Sequence, residues 1–275
     1  MSANLDQATV RGFGDEWSRF DQSALNDAER QRIFDDYFGL FPWDHIGAQS
    51  VGADVGCGSG RWALLVAPRV RTLHCVDPSL ALDVARRNLA ACPNVEFHRA
   101  SVDSLPFADE SLDFAYSLGV LHHVPDTSAA IASVGRALKP GAPLLLYLYY
   151  AFDNRPVWFR ALWRTSDLFR RAIARFPMPL RFVSSQAIAG VVYWPLARIA
   201  RLLDRAGALP TSFPLAAYRD LSFYTMRTDA LDRFGTRLEQ RFTRTQITQM
   251  LEATGFRDIR FSSRVPFWCC VATRI

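Results

Sequence analysis

Apolar residues recur along this chain in two rhythms. Short apolar runs bounded by glycine, proline or acidic residues are expected as strands at 51–55, 72–76, 95–99, 112–118 and 143–150, the last apolar enough to be buried on both faces. Residues at helical spacing lie between and around them. Phe13, Trp17 and Phe20 form one such set, Ile33, Phe34, Tyr37 and Phe38 another, and a helix is expected over 62–67. Leu138-Lys139-Pro140-Gly141 closes a further helix, and Thr243-x-x-Gln246 has the form of a capping box that opens a helix ended by Gly255. Strands at 258–262 and 267–273 follow it.

The segment from 151 to 240 is longer than a simple crossover needs, so an insertion is expected there. Trp158, Leu162, Thr165, Phe169, Ala172, Ile173 and Phe176 share helical spacing, with Arg160, Arg164, Arg170, Arg171 and Arg175 mostly on other faces and Pro177 as the stop. A second apolar stretch, 182–203, is interrupted by Ser184, Ser185, Gln186, Pro195, Arg198 and Arg201. A membrane-spanning helix needs about 20 apolar residues without such interruptions, so none is expected. A basic amphipathic helix could instead rest on a membrane surface, which leaves peripheral membrane contact open.

Composition narrows the picture. At 275 residues and 49% hydrophobic content, the chain can bury one full core plus a sizeable insertion. Its start has no basic segment followed by an apolar core, so a cytoplasmic location is expected. The five cysteines lack Cys-x-x-Cys spacing and read as reduced core thiols. A net charge of +5 comes from dispersed arginines without a basic tract, which does not favour a nucleic-acid partner. His45 and His74 have no companions at ligand spacing, so no metal is expected.

The densest chemical signal is Asp54-Val-Gly56-Cys57-Gly58-Ser-Gly60, set between a strand and a helix start. Glycines at alternate positions permit a tight turn and bring a ligand against main-chain N–H groups, as an adenosine-type cofactor requires. The loop lacks Gly-Lys-Ser/Thr, the only lysine being Lys139, and Arg61 stands where a dinucleotide fingerprint wants its third glycine or alanine. The Asp54 carboxylate would repel phosphates but suits a ligand with an ammonium and a sulfonium, which points to S-adenosyl-L-methionine (SAM). Asp77, about 20 residues past the glycines, is at the separation at which an acid reaches ribose hydroxyls.

With Ser101-Val102-Asp103 after the third strand, Ser117-Leu118-Gly119-Val120-Leu121-His122-His123 after the fourth, and the Lys139-Pro140-Gly141 landmark, the chain resembles class I SAM-dependent methyltransferases of the ubiquinone and menaquinone biosynthesis type (methyltransferase type 11). That resemblance implies an α/β, Rossmann-like doubly wound sheet of seven strands, the last antiparallel, with a mainly helical cap inserted after the fifth strand. Its parts would be an N-terminal helical lid at 1–48, a SAM-binding core at 49–150, a substrate cap at 151–240, and a C-terminal helix with closing strands at 241–275. The implied cofactor residues are Asp54, Gly56, Cys57, Gly58, Gly60, Asp77, Pro78, Val102, Asp103, Ser117 and Leu118, with S-adenosyl-L-homocysteine as the product.

The implied activity is methyl transfer to O, N or C of a small, hydrophobic or amphiphilic metabolite. The alternatives are a non-catalytic SAM-binding sensor or assembly protein, and an RNA methyltransferase. Where a proton must leave the acceptor, histidine is the side chain best matched to take it near neutral pH, so His123, and after it His122, are the catalytic candidates. Trp17, Tyr147, Tyr149, Tyr150, Asp153 and Arg155 are the candidate substrate contacts, with strand alternation sending Tyr147 and Tyr149 to one face and Tyr150 to the other. The oligomeric state has no signal in the chain.

Overall fold

β1 (Val51–Val55), β4 (Phe114–Leu118) and β5 (Pro143–Tyr147) are buried at nearly every position, as apolar runs require when helices cover both sides of a parallel sheet. The computed structural model describes residues 4–275 and places these strands in a seven-stranded sheet with β2 (Thr72–Val76), β3 (Val95–His98), β6 (Phe256–Phe261) and β7 (Cys270–Arg274). The order is β3-β2-β1-β4-β5-β7-β6. Strands β1 to β5 pair in parallel, and β7 runs antiparallel to both β5 and β6. The helices among the described residues are α1 (Gln7–Arg19), α2 (Asp27–Phe38), α3 (Ala63–Val66), α4 (Ala81–Asn88), α5 (Thr127–Ala137), α6 (Val157–Ile173), α7 (Met178–Ile188), α8 (Trp194–Arg205), α9 (Phe223–Gly235) and α10 (Arg244–Ala253).

The chain divides into two compact units. The first holds the residues up to Ser23, Arg30–Ala151 and Leu238–Ile275; the second holds Ala24–Glu29 and Phe152–Arg237.

In the first unit, strand alternation builds two cores. Leu73, Cys75, Phe114, Tyr116 and Leu145 meet Phe34 and Phe38 of α2, Val66 of α3 and Leu82 and Ala85 of α4 on one face. Ala53, Val55, Ala115, Leu144 and Leu146 meet Ile131 and Val134 of α5 and Ile247 and Leu251 of α10 on the other. A Cβ at Gly52 would overlap the Phe114 ring, so glycine here lets β1 and β4 lie together. The strand order turns back between β1 and β4, which opens a crevice at their C-terminal ends. The capping box forms as expected, with Thr243 Oγ1 accepting from Gln246 N–H and the Gln246 side chain accepting from Thr243 N–H. Gly255 takes φ +84° to end α10.

Several strands are shorter than the apolar runs. Leu112 makes only an isolated bridge to Leu138, and the chain leaves β5 after Tyr147 to pair again only at Tyr150 with Phe242. Trp268, at φ +65°, breaks the extended run expected over 267–273, so β7 starts at Cys270. The helix after the glycines is a single α-turn that tightens into a 3₁₀ turn at Ala67–Arg69, where Pro68 lacks the N–H an α-helix needs.

The second unit is helical. Ala189, Tyr193, Ala197, Met226, Ala230 and Phe234 form its core, with a π-helical turn at Ala189–Tyr193 joining α7 to α8. Helix α6 ends at Ile173, ahead of Pro177. One of its arginines turns inward: Arg170 is buried, donates to Asp167 Oδ1 at 2.6 Å and to the Thr236 carbonyl at 3.0 Å. Trp158, Leu162, Phe169, Leu180, Val191, Trp194 and Leu202 stay exposed. Among the described residues no helix is long and apolar enough to cross a membrane.

Candidate functional site

The site grows from the end of β1. Gly56, Gly58 and Gly60 all have positive φ (+82°, +53° and +76°), the conformation that favours glycine. Gly56 and Cys57 donate to the Val76 carbonyl at 2.7 and 3.1 Å, so the turn is pinned to the end of β2. Asp77 completes the joint. Its Oδ2 accepts from Gly58 N–H at 3.0 Å, and its Oδ1 accepts from Ser79 N–H at 2.8 Å and Ser79 Oγ–H at 2.6 Å. Pro78, between Asp77 and Ser79 in the chain, is half-buried.

A Cβ at Gly56 would collide with Val120, which brings the loop after β4 against the glycine turn. One at Gly58 would lie 3.0 Å from Nε1 of Trp17, so α1 sets its indole on the loop. Arg61 lies over the Trp62 ring at 4.4 Å and the Trp17 ring at 5.3 Å.

At its other end, the N-terminal segment reaches the acid after β3. Asn4 N–H donates to Asp103 Oδ2 at 3.4 Å, and the Asn4 side chain exchanges two bonds with the Asp126 backbone at 2.8 and 2.7 Å. Ser101 Oγ–H donates to Asp103 Oδ1. Asp77 and Asp103 therefore follow neighbouring parallel strands at the same sheet edge, and the segment from Asn4 to Trp17 passes both.

Asp54 lies beneath the turn, 2% exposed, and its Oδ2 has no hydrogen-bond partner. Burial pushes its pKa up to about 8; the Tyr116 hydroxyl beside it opposes the rise without closing a well-formed hydrogen bond, Asp77 adds to it and Arg61 opposes it. A buried carboxyl with an unpartnered oxygen next to a bare backbone loop suits a cationic group of a ligand.

In the ligand-free protein, Asp54 favours folding most below its ordinary carboxylate pKa, and that contribution is lost as pH rises through about 8. A ligand ammonium needs the ionised form. SAM affinity is therefore expected to rise by up to about tenfold per pH unit between pH 6 and 7.5, with proton release on binding, and Asp54→Asn should flatten the dependence. Calorimetry in buffers of different ionisation enthalpy measures the released proton. A flat profile in the wild type would contradict this role.

Cys57 and Ser117 serve the frame. The neighbouring Cys75 thiol, with burial, pushes the Cys57 pKa well above the usual thiol range. Ser117 Oγ–H donates to the Val55 carbonyl at 2.8 Å, fully buried, and so ties β4 to β1. Val102 packs in one sheet core and Leu118 against the other.

Beyond β4, a 3₁₀ turn at Leu121–His123 carries the two histidines. His123 Nδ1 lies 2.7 Å from the Leu238 carbonyl, an acceptor only, so Nδ1 carries the proton and Nε2 is the basic nitrogen. Phe13 of α1 meets the His123 ring edge-on at 5.0 Å. His122 is fully buried; its Nδ1 accepts from Tyr149 N–H at 3.4 Å and its ring stacks on Tyr149 at 3.9 Å. Burial, helped by His123 and Arg241, holds the His122 pKa well below the usual imidazole range, so this histidine stays neutral.

Arg241 caps the Tyr149 ring at 4.9 Å and pairs with Glu239 at 2.7 Å. Leu238, Glu239 and Arg241 were not among the sequence candidates, because nothing in a short polar run 115 residues from His123 marks it as a neighbour.

The tyrosines separate as alternation requires. Tyr147 meets Tyr37 at 5.2 Å and Tyr149 at 6.0 Å, whereas Tyr150 lies against Phe267 and Trp268 and so does not join the histidine cluster. Asp153 and Arg155 belong to the second unit, where Arg155 donates to the Thr211 carbonyl at 2.6 Å. His74, without a companion in the linear chain, finds Glu96 and His98 beside it across β2 and β3.

A seven-stranded sheet with this order, a glycine turn bonded to the acid of the next strand, and a further acid on the same edge define a nucleoside-cofactor enzyme of the class I methyltransferase type. Residues 53–146 match the methyltransferase domain family. The chain is 31% identical over 211 residues to an uncharacterised 37.1 kDa protein in transposon TN4556 of Streptomyces fradiae, covering 75% of this chain and 56% of that one. It is 33% identical over 128 residues to probable tRNA methyltransferase 9B of Mus musculus, covering 41% and 27%.

A chain of the Haloferax volcanii complex solved with the Trm112 methyltransferase activator shares the fold alone, at 12% identity, TM-score 0.51 and coverage of 98% and 96%. The chain spans about half or less of the length of these curated relatives. Residues 53–146 are thus a SAM-dependent methyltransferase domain of the class I, type 11 kind, with S-adenosyl-L-methionine as its cofactor.

Proposed function

We propose that the protein transfers a methyl group from SAM to an O, N or C atom of a small hydrophobic or amphiphilic metabolite. The observation that carries this reading is the lining around His123: Phe13, Tyr149 and the stacked His122 offer ring surface, while the Arg241–Glu239 pair beside Tyr149 supplies a polar end.

The residues present fit the cofactor. Asp54 would take its ammonium, Arg61 its carboxylate, Asp77 the ribose hydroxyls and Asp103 the adenine amino group, with the Gly56–Gly60 backbone against the chain that joins them. When bound, SAM supplies a methyl group on a sulfonium, and its transfer removes a positive charge, so alignment and exclusion of water matter more than acid or base strength. Trp17 and Phe13 on α1 exclude water from above the glycine turn and His123. His123 Nε2 takes the proton that the acceptor loses, while the Leu238 carbonyl fixes the tautomer through Nδ1–H.

Incubating the tag-free protein with methyl-labelled SAM and a nuclease-treated cell extract tests the acceptor class. Label in an organic-solvent-extractable small-molecule fraction is the expected result. Label found only in RNA of an untreated extract, the outcome that likeness to the probable tRNA methyltransferase would favour, overturns it.

Replacing His123 by alanine should lower turnover by about 10²- to 10⁴-fold while leaving SAM affinity within a few-fold. His123→Gln, which keeps an N–H for the Leu238 carbonyl, controls for packing and should be equally slow. Wild-type turnover in either variant would remove the histidine from the reaction.

A further inference from the structure

We propose that His74, Glu96 and His98 form a binding site for a divalent transition-metal ion of the zinc kind on the edge of the sheet. The site follows from strand register. His74 on β2 pairs with Glu96 on β3, and His98 is two residues further along β3, so all three side chains leave the same face. The intervening Leu73, Cys75, Val95 and Phe97 turn the other way into the core.

The donor atoms already converge. His74 Nδ1 is 3.0 Å from His98 Nε2 and 3.3 Å from Glu96 Oε2, and His98 Nε2 is 4.0 Å from Glu96 Oε2. Zinc–nitrogen bonds of about 2.0–2.1 Å in tetrahedral geometry put ligand atoms about 3.3 Å apart, so an ion needs only small side-chain shifts. Phe107 packs beside both imidazoles, at 5.1 and 5.6 Å, and walls one side. Glu96, its side chain 60% exposed, leaves the other side open to solvent.

Two imidazoles and one carboxylate supply three ligands and one negative charge, which leaves a coordination position for water or a small anion. The ion would clamp edge strand β3 to β2. The His98 carbonyl also accepts from Asp77 N–H at 3.2 Å, so the clamp lies directly behind one of the two acids of the nucleoside site. The inference does not depend on the methyl acceptor, and its test reads metal directly.

Tag-free protein stripped with EDTA is titrated with Zn²⁺ by calorimetry and with Co²⁺ by visible absorption. The expected result is one ion per chain, a cobalt spectrum without thiolate charge transfer, and a higher melting temperature with zinc. Glu96→Gln, on an exposed side chain, should weaken binding by at least about tenfold, and His98→Ala more. His45→Ala, at an exposed histidine elsewhere, should bind as wild type. No binding, equal binding in all three variants, or a thiolate-to-cobalt band that assigns the ion to cysteines would overturn the site. SAM affinity measured on the same variants separates loss of metal from loss of the cofactor site.

Discussion

Asp77→Ala is expected to weaken SAM binding by about a hundred- to a thousand-fold while the protein stays folded. The size follows from what the carboxylate holds before any ligand arrives. It accepts from Gly58 N–H, Ser79 N–H and Ser79 Oγ–H at 2.6 to 3.0 Å and is 7% exposed. Removing it strands buried donors at about 1–3 kcal/mol each, frees the glycine turn from β2, and takes away the proposed ribose acceptor. Calorimetry with SAM and with its demethylated product measures the loss, and circular dichroism checks the fold. Asp77→Asn should lie between wild type and Asp77→Ala, since one amide oxygen can still accept while the NH₂ faces a donor. An affinity for SAM in Asp77→Ala within threefold of wild type would show that the acid holds only the loop.

The second large effect is expected from Gly58→Val, which should bring SAM binding below detection. Two costs combine. The φ of +53° strains a β-branched residue, and the new Cβ would start 3.0 Å from the Trp17 indole, forcing α1 off the glycine turn. The branched side chain would also fill space that the cofactor backbone contacts need. Gly58→Ala with Trp17→Ala separates the causes: relief of the clash should restore part of the affinity if the indole is the obstacle, whereas no recovery assigns the loss to the backbone. Trp17 fluorescence reports whether the ring has moved.

The parts of the site that lay close together in the chain were legible before folding. β1, the glycine turn and Asp77 lie within 27 residues, and each announces itself by a local property: an apolar run, positive-φ glycines, an acid at the end of a strand. The Thr243–Gln246 capping box is local too, and it formed. Strand ends were less legible, because apolar character continues past the point where a partner strand ends. Leu112, Leu148 and Tyr149 are apolar or aromatic, yet hydrogen-bond partners for a continuous ladder are lacking there.

Contacts between distant segments were hidden. Nothing in Leu238-Glu239-Gln240-Arg241 identifies it as the wall of the histidine turn, and His74 looked solitary because its companions are 22 and 24 residues away on the neighbouring strand. Arg61 entered the sequence argument only as a sign against pyrophosphate; its place between Trp17 and Trp62 depended on where α1 came to rest.

The linear order of residues determined the class of fold and the cofactor, since backbone conformation at glycine and strand-end placement are properties of a few adjacent residues. Tertiary structure alone decided which histidine keeps a basic nitrogen, which charged groups lie beside the histidine turn, and which imidazoles meet across the sheet edge. Those outcomes depend on burial and on pairing across long loops, and no short stretch of chain contains either.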